Sequence, residues 1–327
     1  MVNHTHKEIL QQIDHAQHVV LVSHRGPDGD TVGSALALQQ YIDALGKKVT
    51  CYCVNETPPH LGFLLNSEKI GPHNTVWNDD TVDLVIVLDS GDLVHAGVAE
   101  YIPNGPDRKW PVICIDHHIT NKQYGDFNLI NSEASSTCEI VYGLLEDTNA
   151  INKDIATCLL TGLITDTGSF SNLATTASSV HTASKLLSLG ANLQQIAKHA
   201  LNYRPYTTLK LWGRALERLH EDEKTGMIVT VITLDDITEC NADSEAVSGI
   251  SNFLNDLEQA AEKAIMVLAQ TTPGVIKASL RTTNPLIDVS EFAKLNGGGG
   301  HKKAAGFTIN GTLEHTNNGY EIINKRD

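Results

Sequence analysis

Basic residues are the first shortage in this 327-residue chain: 24 Lys and Arg stand against 39 Asp and Glu, a formal net charge of −15. Neutralising a long run of duplex phosphates needs a basic face, so the balance argues against long duplex DNA as a partner. Long hydrophobic runs are missing as well. No stretch of about 18 apolar residues occurs, and "MVNHTHKEILQQIDHAQ" lacks a basic start followed by an apolar core, so neither a membrane span nor a secretory leader is expected. The expected location is the cytoplasm. Paired C-x-x-C spacing is also absent from the six cysteines, at 51, 53, 114, 138, 158 and 240. That argues against thiolate zinc and thiol redox work, and their apolar surroundings predict reduced, buried thiols.

What is present is an alternation of short apolar runs with helical patterns. "VVLVS", "TVGSALALQQYIDALG", "KKVTCYCV", "VDLVIVLD" and "WPVICID" follow one another, which predicts βαβ units around a parallel sheet covered on both faces by helices. Three helical patterns follow: "STCEIVYGLLED", "KDIATCLLTGLIT" and "SSVHTASKLLSLG", the last closed by Gly190. A helical connector, interrupted at Pro205, then leads to strands "MIVTVIT", "KAIMVLAQ" and "GVIKASLRTT", with helical "SEAVSGISNFLNDLE" between the first two. The expected architecture is α/β: a parallel-sheet domain over 1–185, a helical linker over 186–210, and a smaller α/β domain with a mixed sheet over 211–327. The end, "EHTNNGYEIINKRD", shows no periodicity and reads as a peripheral tail.

In open α/β sheets ligands bind beyond the carboxyl ends of the strands, and this chain deposits acids and histidines there four times. "SHRGPDGD" brings His24, Asp28 and Asp30; "LDSGD" brings Asp89 and Asp92; "IDHH" brings Asp116, His117 and His118; "ITDTGSF" brings Asp166. One such acid is as readily a helix cap, the alternative for Asp30. Four clusters from distant segments are a different matter, because carboxylates gathered in one pocket raise one another's pKa unless cations join them. Carboxylate and imidazole without thiolate suits manganese, with magnesium as the alternative and zinc ranked below them. Two such ions, about 3.5–4 Å apart, are the usual device for activating water against phosphorus, so phosphate-ester hydrolysis is the reading.

Downstream, "GGGGHKKAAGF" runs from Gly297 to Phe307; its glycines allow close backbone approach to a ligand, and its histidine and lysines add donors. Arg281, ending "VIKASLR", is a candidate phosphate clamp.

Taken in order, "SHRGPDGD", "LDSGD", "DHH", "ITDTGSF" and "GGGGH" resemble the DHH phosphoesterase superfamily, over nearly the whole chain. Length, linker and glycine loop look most like its oligoribonuclease (nanoRNase) and 3′-phosphoadenosine 5′-phosphate phosphatase group, two-domain manganese-dependent enzymes that degrade very short RNA. The resemblance implies that His24, Asp28 and Asp89 hold one metal ion and Asp30, Asp89, His117 and Asp166 the other, with Asp89 bridging. It further implies that His118 faces the scissile phosphate, that Asp116 supports it from behind, and that Arg281, Gly298, Gly299, Gly300 and His301 grip substrate phosphate. Short RNA or small nucleotides are the implied partners, and self-association as a homodimer is compatible with this reading.

His95, Arg108 and Lys122 lie near these motifs and read as solvated loop residues; Ser135, Ser136 and Thr137 read as a helix cap. Three rivals are kept open: a phosphodiesterase of linear or cyclic dinucleotides, an inorganic pyrophosphatase, and a non-catalytic nucleotide sensor on the same fold.

Overall fold

The computed structural model describes residues 4–103, 108–201, 205–242, 244–247, 249–255, 262–316 and 319–323. They divide into two compact units, Met1–Tyr203 and Arg204–Asp327. Residues 202–204, which precede the predicted break at Pro205, lie outside the described residues, as do 256–261 at the end of the predicted helix after Cys240.

The first unit is built on five parallel strands: β1 (His18–Val22), β2 (Lys48–Tyr52), β3 (Leu84–Leu88), β4 (Val112–Asp116) and β5 (Phe127–Ile130), in the order β2-β1-β3-β4-β5. Every residue of β1, β3 and β4 is buried, as continuous apolar runs require when both sheet faces are covered. On one face Leu21, Ile86 and Ile115 pack with α1 (His4–His15), α2 (Gly29–Ala44), α3 (Thr137–Leu145) and α4 (Lys153–Asp166). On the other, Val20, Val85 and Val87 pack with Trp77, Val98, Ile102 and Trp110 from short 3₁₀ and loop segments. Fully buried side chains such as Leu36, Leu38 and Ile42 of α2 are worth about 1.5–3 kcal/mol each in hydrophobic transfer. α5 (Ala177–Ser188) and α6 (Leu193–Ile196) complete the unit; Gly190, at φ +93°, closes α5 as anticipated.

Two elements of this unit escaped the sequence reading. α1 buries only Ile9 and Ile13, with Leu10 partly buried against the same core, on an otherwise polar helix. β5 is an edge strand whose one fully buried side chain is Leu129.

The second unit begins with α7 (Tyr206–Glu217), which follows directly on Pro205. Its six-stranded mixed sheet runs β10-β11-β9-β8-β7-β6, comprising β6 (His220–Glu221), β7 (Ile228–Ile232), β8 (Ile265–Thr272), β9 (Val275–Arg281), β10 (Gly299–His301) and β11 (Ala304–Asn310). Only the β7–β8 pair is parallel. α8 (Leu234–Glu239) and α9 (Ile250–Asn255) lie between β7 and β8 in the chain, and α10 (Val289–Leu295) precedes β10. Alternation in β9 sets its faces: Ile276, Ala278 and Leu280 are buried, while Lys277, Ser279 and Arg281 point the other way.

The expected tail is instead a hairpin of β12 (Thr312–Thr316) and β13 (Gly319–Ile323). Leu313 anchors it, buried, with its N–H donating to Gln270 Oε1 at 3.1 Å. The glycine run is likewise a strand edge and not a free loop. A Cβ on Gly298 would lie 2.2 Å from Gly306 O, and one on Gly300, at φ +140°, would lie 2.5 Å from Ala305 Cα. Both glycines are therefore explained by strand-to-strand approach; Gly297 and Gly299 face open space.

Candidate metal centre

The carboxyl ends of β1, β3 and β4 and the last residue of α4 converge. Three sets of side chains, His24/Asp28/Asp89, Asp30/His117/Asp166 and Asp89/His117/His118, each place their ligand atoms within 4.8 Å of one another.

Asp28 and Asp30 divide the labour differently from the sequence reading. Asp28 is the N-cap of α2, its Oδ1 accepting from Asp30 N at 3.0 Å and Thr31 N at 3.1 Å. Asp30 lies inside the first turn, fully buried, and its two oxygens accept the Thr137 and Cys138 amides at 2.6 and 2.8 Å. The N-terminus of α3 thus holds Asp30 from behind, and helix polarity favours the negative charge there. Ser136 caps α3 as expected, but Thr137 does more: its hydroxyl donates to Asp89 Oδ1 at 3.1 Å.

Asp89 follows β3 in left-handed backbone conformation, φ +55°, which costs a non-glycine residue about 1–3 kcal/mol. Aspartate tolerates it better than most. Its carboxylate is split between two histidines: Oδ2 lies 3.3 Å from His24 Nε2 and Oδ1 lies 3.5 Å from His117 Nε2. His117 Nε2 is also 3.3 Å from Asp166 Oδ2, and His24 Nε2 is 3.7 Å from Asp28 Oδ1. His24 Nδ1 lies 2.9 Å from Arg25 O, an acceptor only, so Nδ1 carries a proton and Nε2 is turned to the carboxylates.

Asp116 ends β4 fully buried. Its Oδ1 accepts from His117 N, His118 N and, at 2.7 Å, His118 Nδ1, and its Oδ2 from Asn121 Nδ2 at 2.6 Å. It orients His118, whose side chain is 43% exposed and so remains reachable. Asn121 has a sequence position, five residues past the DHH aspartate, but no pattern that marks it.

The electrostatics are those of a site built for cations. Burial first, then the neighbouring carboxylates Asp89 and Asp166, push Asp30 well above the usual carboxylate range. Burial, Asp89 and Asp28 push Asp166 to about 7. Burial alone would lower His24 and His117, but the surrounding carboxylates outweigh it and raise them to about 11 and about 9. Asp89, despite burial, is pulled below the usual range by those two histidines. Protons therefore stand in for positive charge, and the thiol-free set of carboxylate oxygens and imidazole nitrogens fits hard or borderline divalent ions. The cysteine thiols belong to none of the three sets: all six are buried and free.

Residues set aside in the sequence behave unequally. Lys122 is solvated as expected, pairing with Asp92 at 2.9 Å. Asp92 belongs to none of the three sets. Arg108 is no solvated residue: its side chain is 10% exposed, bonded to Pro103 O and Tyr124 O. His95 stacks on His24.

In the second unit, His301 pairs with Ala304 and Ala304 with Arg281. The two basic residues thus lie in one row across three strands, on one sheet face, about 10 Å apart by strand spacing. Arg281 Nη1 donates to Leu280 O at 2.9 Å, and burial lowers its pKa. With Lys277 and Ser279 it lines a cavity of about 370 Å³ that α9 and β8 also border.

Residues 18–163 match the DHH family, N-terminal domain, and residues 224–325 match the DHHA1 domain. The chain is 28% identical over 313 residues to the bifunctional oligoribonuclease and PAP phosphatase NrnA of Thermus thermophilus, covering 93% of this chain and 87% of that one. It is 27% identical to a probable enzyme of the same name from Streptococcus mutans, over 92% of each. An exopolyphosphatase-related protein from Bacteroides fragilis shares the fold, with a TM-score of 0.83 at 24% identity over 94% of this chain and 92% of that one. With the two domain models in this order and the histidine–aspartate cluster at the strand ends, the chain belongs to the DHH family of phosphoesterases.

Proposed function

We propose that this protein hydrolyses short oligoribonucleotides to 5′-mononucleotides and 3′-phosphoadenosine 5′-phosphate to AMP. The observation that carries the reading is Asp89, one carboxylate on a left-handed backbone whose two oxygens face two different histidines. That is the geometry of a bridging ligand. His24, Asp28 and Asp89 would hold one divalent ion, and Asp30, Asp89, His117 and Asp166 a second, manganese by preference and magnesium as the alternative. When bound, such ions supply water activation and neutralise phosphate charge.

The chain's own residues supply the rest. Asp116 fixes the His118 ring and, ahead of the opposing effect of burial, raises its pKa, which favours the protonated ring that a general acid needs. Water oxygen bonds to phosphorus, the P–O3′ bond breaks, and O3′ leaves with the His118 proton. The same bond breaks in both substrates, which is why one site serves both. Arg281 and His301 would grip substrate phosphate, with Gly299 open to a ligand. A net charge of −15 disfavours a long polyanion and so favours a short anionic substrate.

The test is product release with Mn²⁺ from an RNA ladder of two to five nucleotides, 3′-phosphoadenosine 5′-phosphate, and pyrophosphate. Mononucleotides from the first and AMP from the second are expected. Turnover of pyrophosphate alone, or of nothing, contradicts the reading.

A further inference from the structure

We infer that His95 is a positioning residue that fixes the orientation of His24 and ties the end of β1 to the end of β3. The inference rests on the metal-centre reading above and adds to it a residue outside the ligand set.

His24 is held at Nδ1 by Arg25 O, while its Nε2 faces Asp89 Oδ2 at 3.3 Å. Contacts at the two ring nitrogens leave the ring free to turn about the line joining them. The ring of His95 closes that freedom: its centroid lies 4.8 Å from that of His24, with 26° between the planes, a stacked pair. His95 is itself anchored at three points. Its N–H donates to Asp92 Oδ1 at 2.8 Å, its carbonyl accepts from Arg25 N at 3.1 Å, and its Nδ1 lies 3.2 Å from Ser90 Oγ. Ser90 Oγ already donates to Asp92 O at 2.9 Å, so the His95 Nδ1–H is the donor in the last contact.

The foot of this strut is rigid. Ser90 is fully buried, immediately follows Asp89, and its carbonyl accepts from both Asn121 Nδ2 and Tyr124 OH. One ring therefore connects a terminal ligand, His24, to the segment that sets the strained backbone of the bridging ligand, Asp89. Partners that orient metal-binding histidines in this way commonly contribute 10–100-fold to affinity or activity.

Two variants of the full chain separate the stack from the hydrogen bond. His95→Phe keeps an aromatic face against His24 and loses Ser90; His95→Gln keeps an amide donor for Ser90 and loses the ring. Mn²⁺ titration by calorimetry, without substrate, is expected to show His95→Gln binding the ion about tenfold more weakly while His95→Phe stays close to wild type. At saturating Mn²⁺, KM for 3′-phosphoadenosine 5′-phosphate is expected to be unchanged in both, and circular dichroism melting establishes that both are folded. Wild-type Mn²⁺ affinity in His95→Gln, equal losses in the two variants, or a raised KM at saturating ion would each overturn the inference. A wild-type protein that binds no Mn²⁺ would instead overturn the metal-centre reading on which it rests.

Discussion

Asp116 shows how much of this site is made by single side chains. It is fully buried and accepts four hydrogen bonds, one of them from His118 Nδ1. Asp116→Asn removes the charge that holds the His118 pKa up while keeping the shape. The expected result is a pH–rate profile whose alkaline limb moves to lower pH, because the donor proton is lost sooner; a limb that stays in place would show His118 is not the acid. At this scale the sequence was legible where a residue type alone implies chemistry: acids and histidines beyond strand ends announced His24, Asp28, Asp89 and His117 as candidates, whereas Asp166 ends the helix α4 and not a strand. It was illegible where the role depends on geometry. Whether Asp28 or Asp30 capped α2 turned on two residues of helix phase, and Thr137 reaches Asp89 across 48 positions of chain. His95 stacks on His24 through a turn that no spacing rule predicts.

Among elements, the close packing of α2, α3 and α4 decides where the ligands stand. A Cβ on Gly162 would lie 2.4 Å from Cys138 Sγ and 2.6 Å from Asp30 Oδ1, and one on Gly33 would lie 2.4 Å from Cys158 O. The helices approach as they do because these positions have no side chain. Gly162→Ala should lower stability by about 1–3 kcal/mol, as overpacking does, and should weaken Mn²⁺ binding because the methyl presses on Asp30 itself. Thermal melting and a Mn²⁺ titration check both; an unchanged titration would mean that Asp30 is not tied to the helix crossing. The buried strands and long helices were readable from apolar periodicity. The hairpin of β12 and β13 was not, since its anchoring comes from Leu313 and Gln270 and not from alternation. The glycine run was noticed for its chemistry, yet two of its members are explained by the neighbouring strand.

For the whole molecule, the acidic centre couples metal binding to protonation and so to stability. Asp166 is raised from 3.8 to about 7 and His117 from 6.5 to about 9. A group raised on folding stabilises the metal-free fold at pH below its unfolded value, and that contribution is lost as pH climbs through the folded one. The metal-free protein therefore loses these contributions between about pH 4 and 9, the window in which deprotonated ligands become available to cations. The rise in Tm produced by Mn²⁺ should be larger at pH 8 than at pH 6, measured by differential scanning calorimetry; a larger rise at pH 6 would contradict the assigned ligands.

The central claim is that one carboxylate joins two cation sites. Its most direct test is the number of Mn²⁺ ions bound per chain, measured calorimetrically for the wild type and for Asp89→Asn. The account predicts two ions in the wild type and weakened binding at both sites in the variant. A single ion in the wild type, or a variant that still binds two with unchanged affinity, would contradict it.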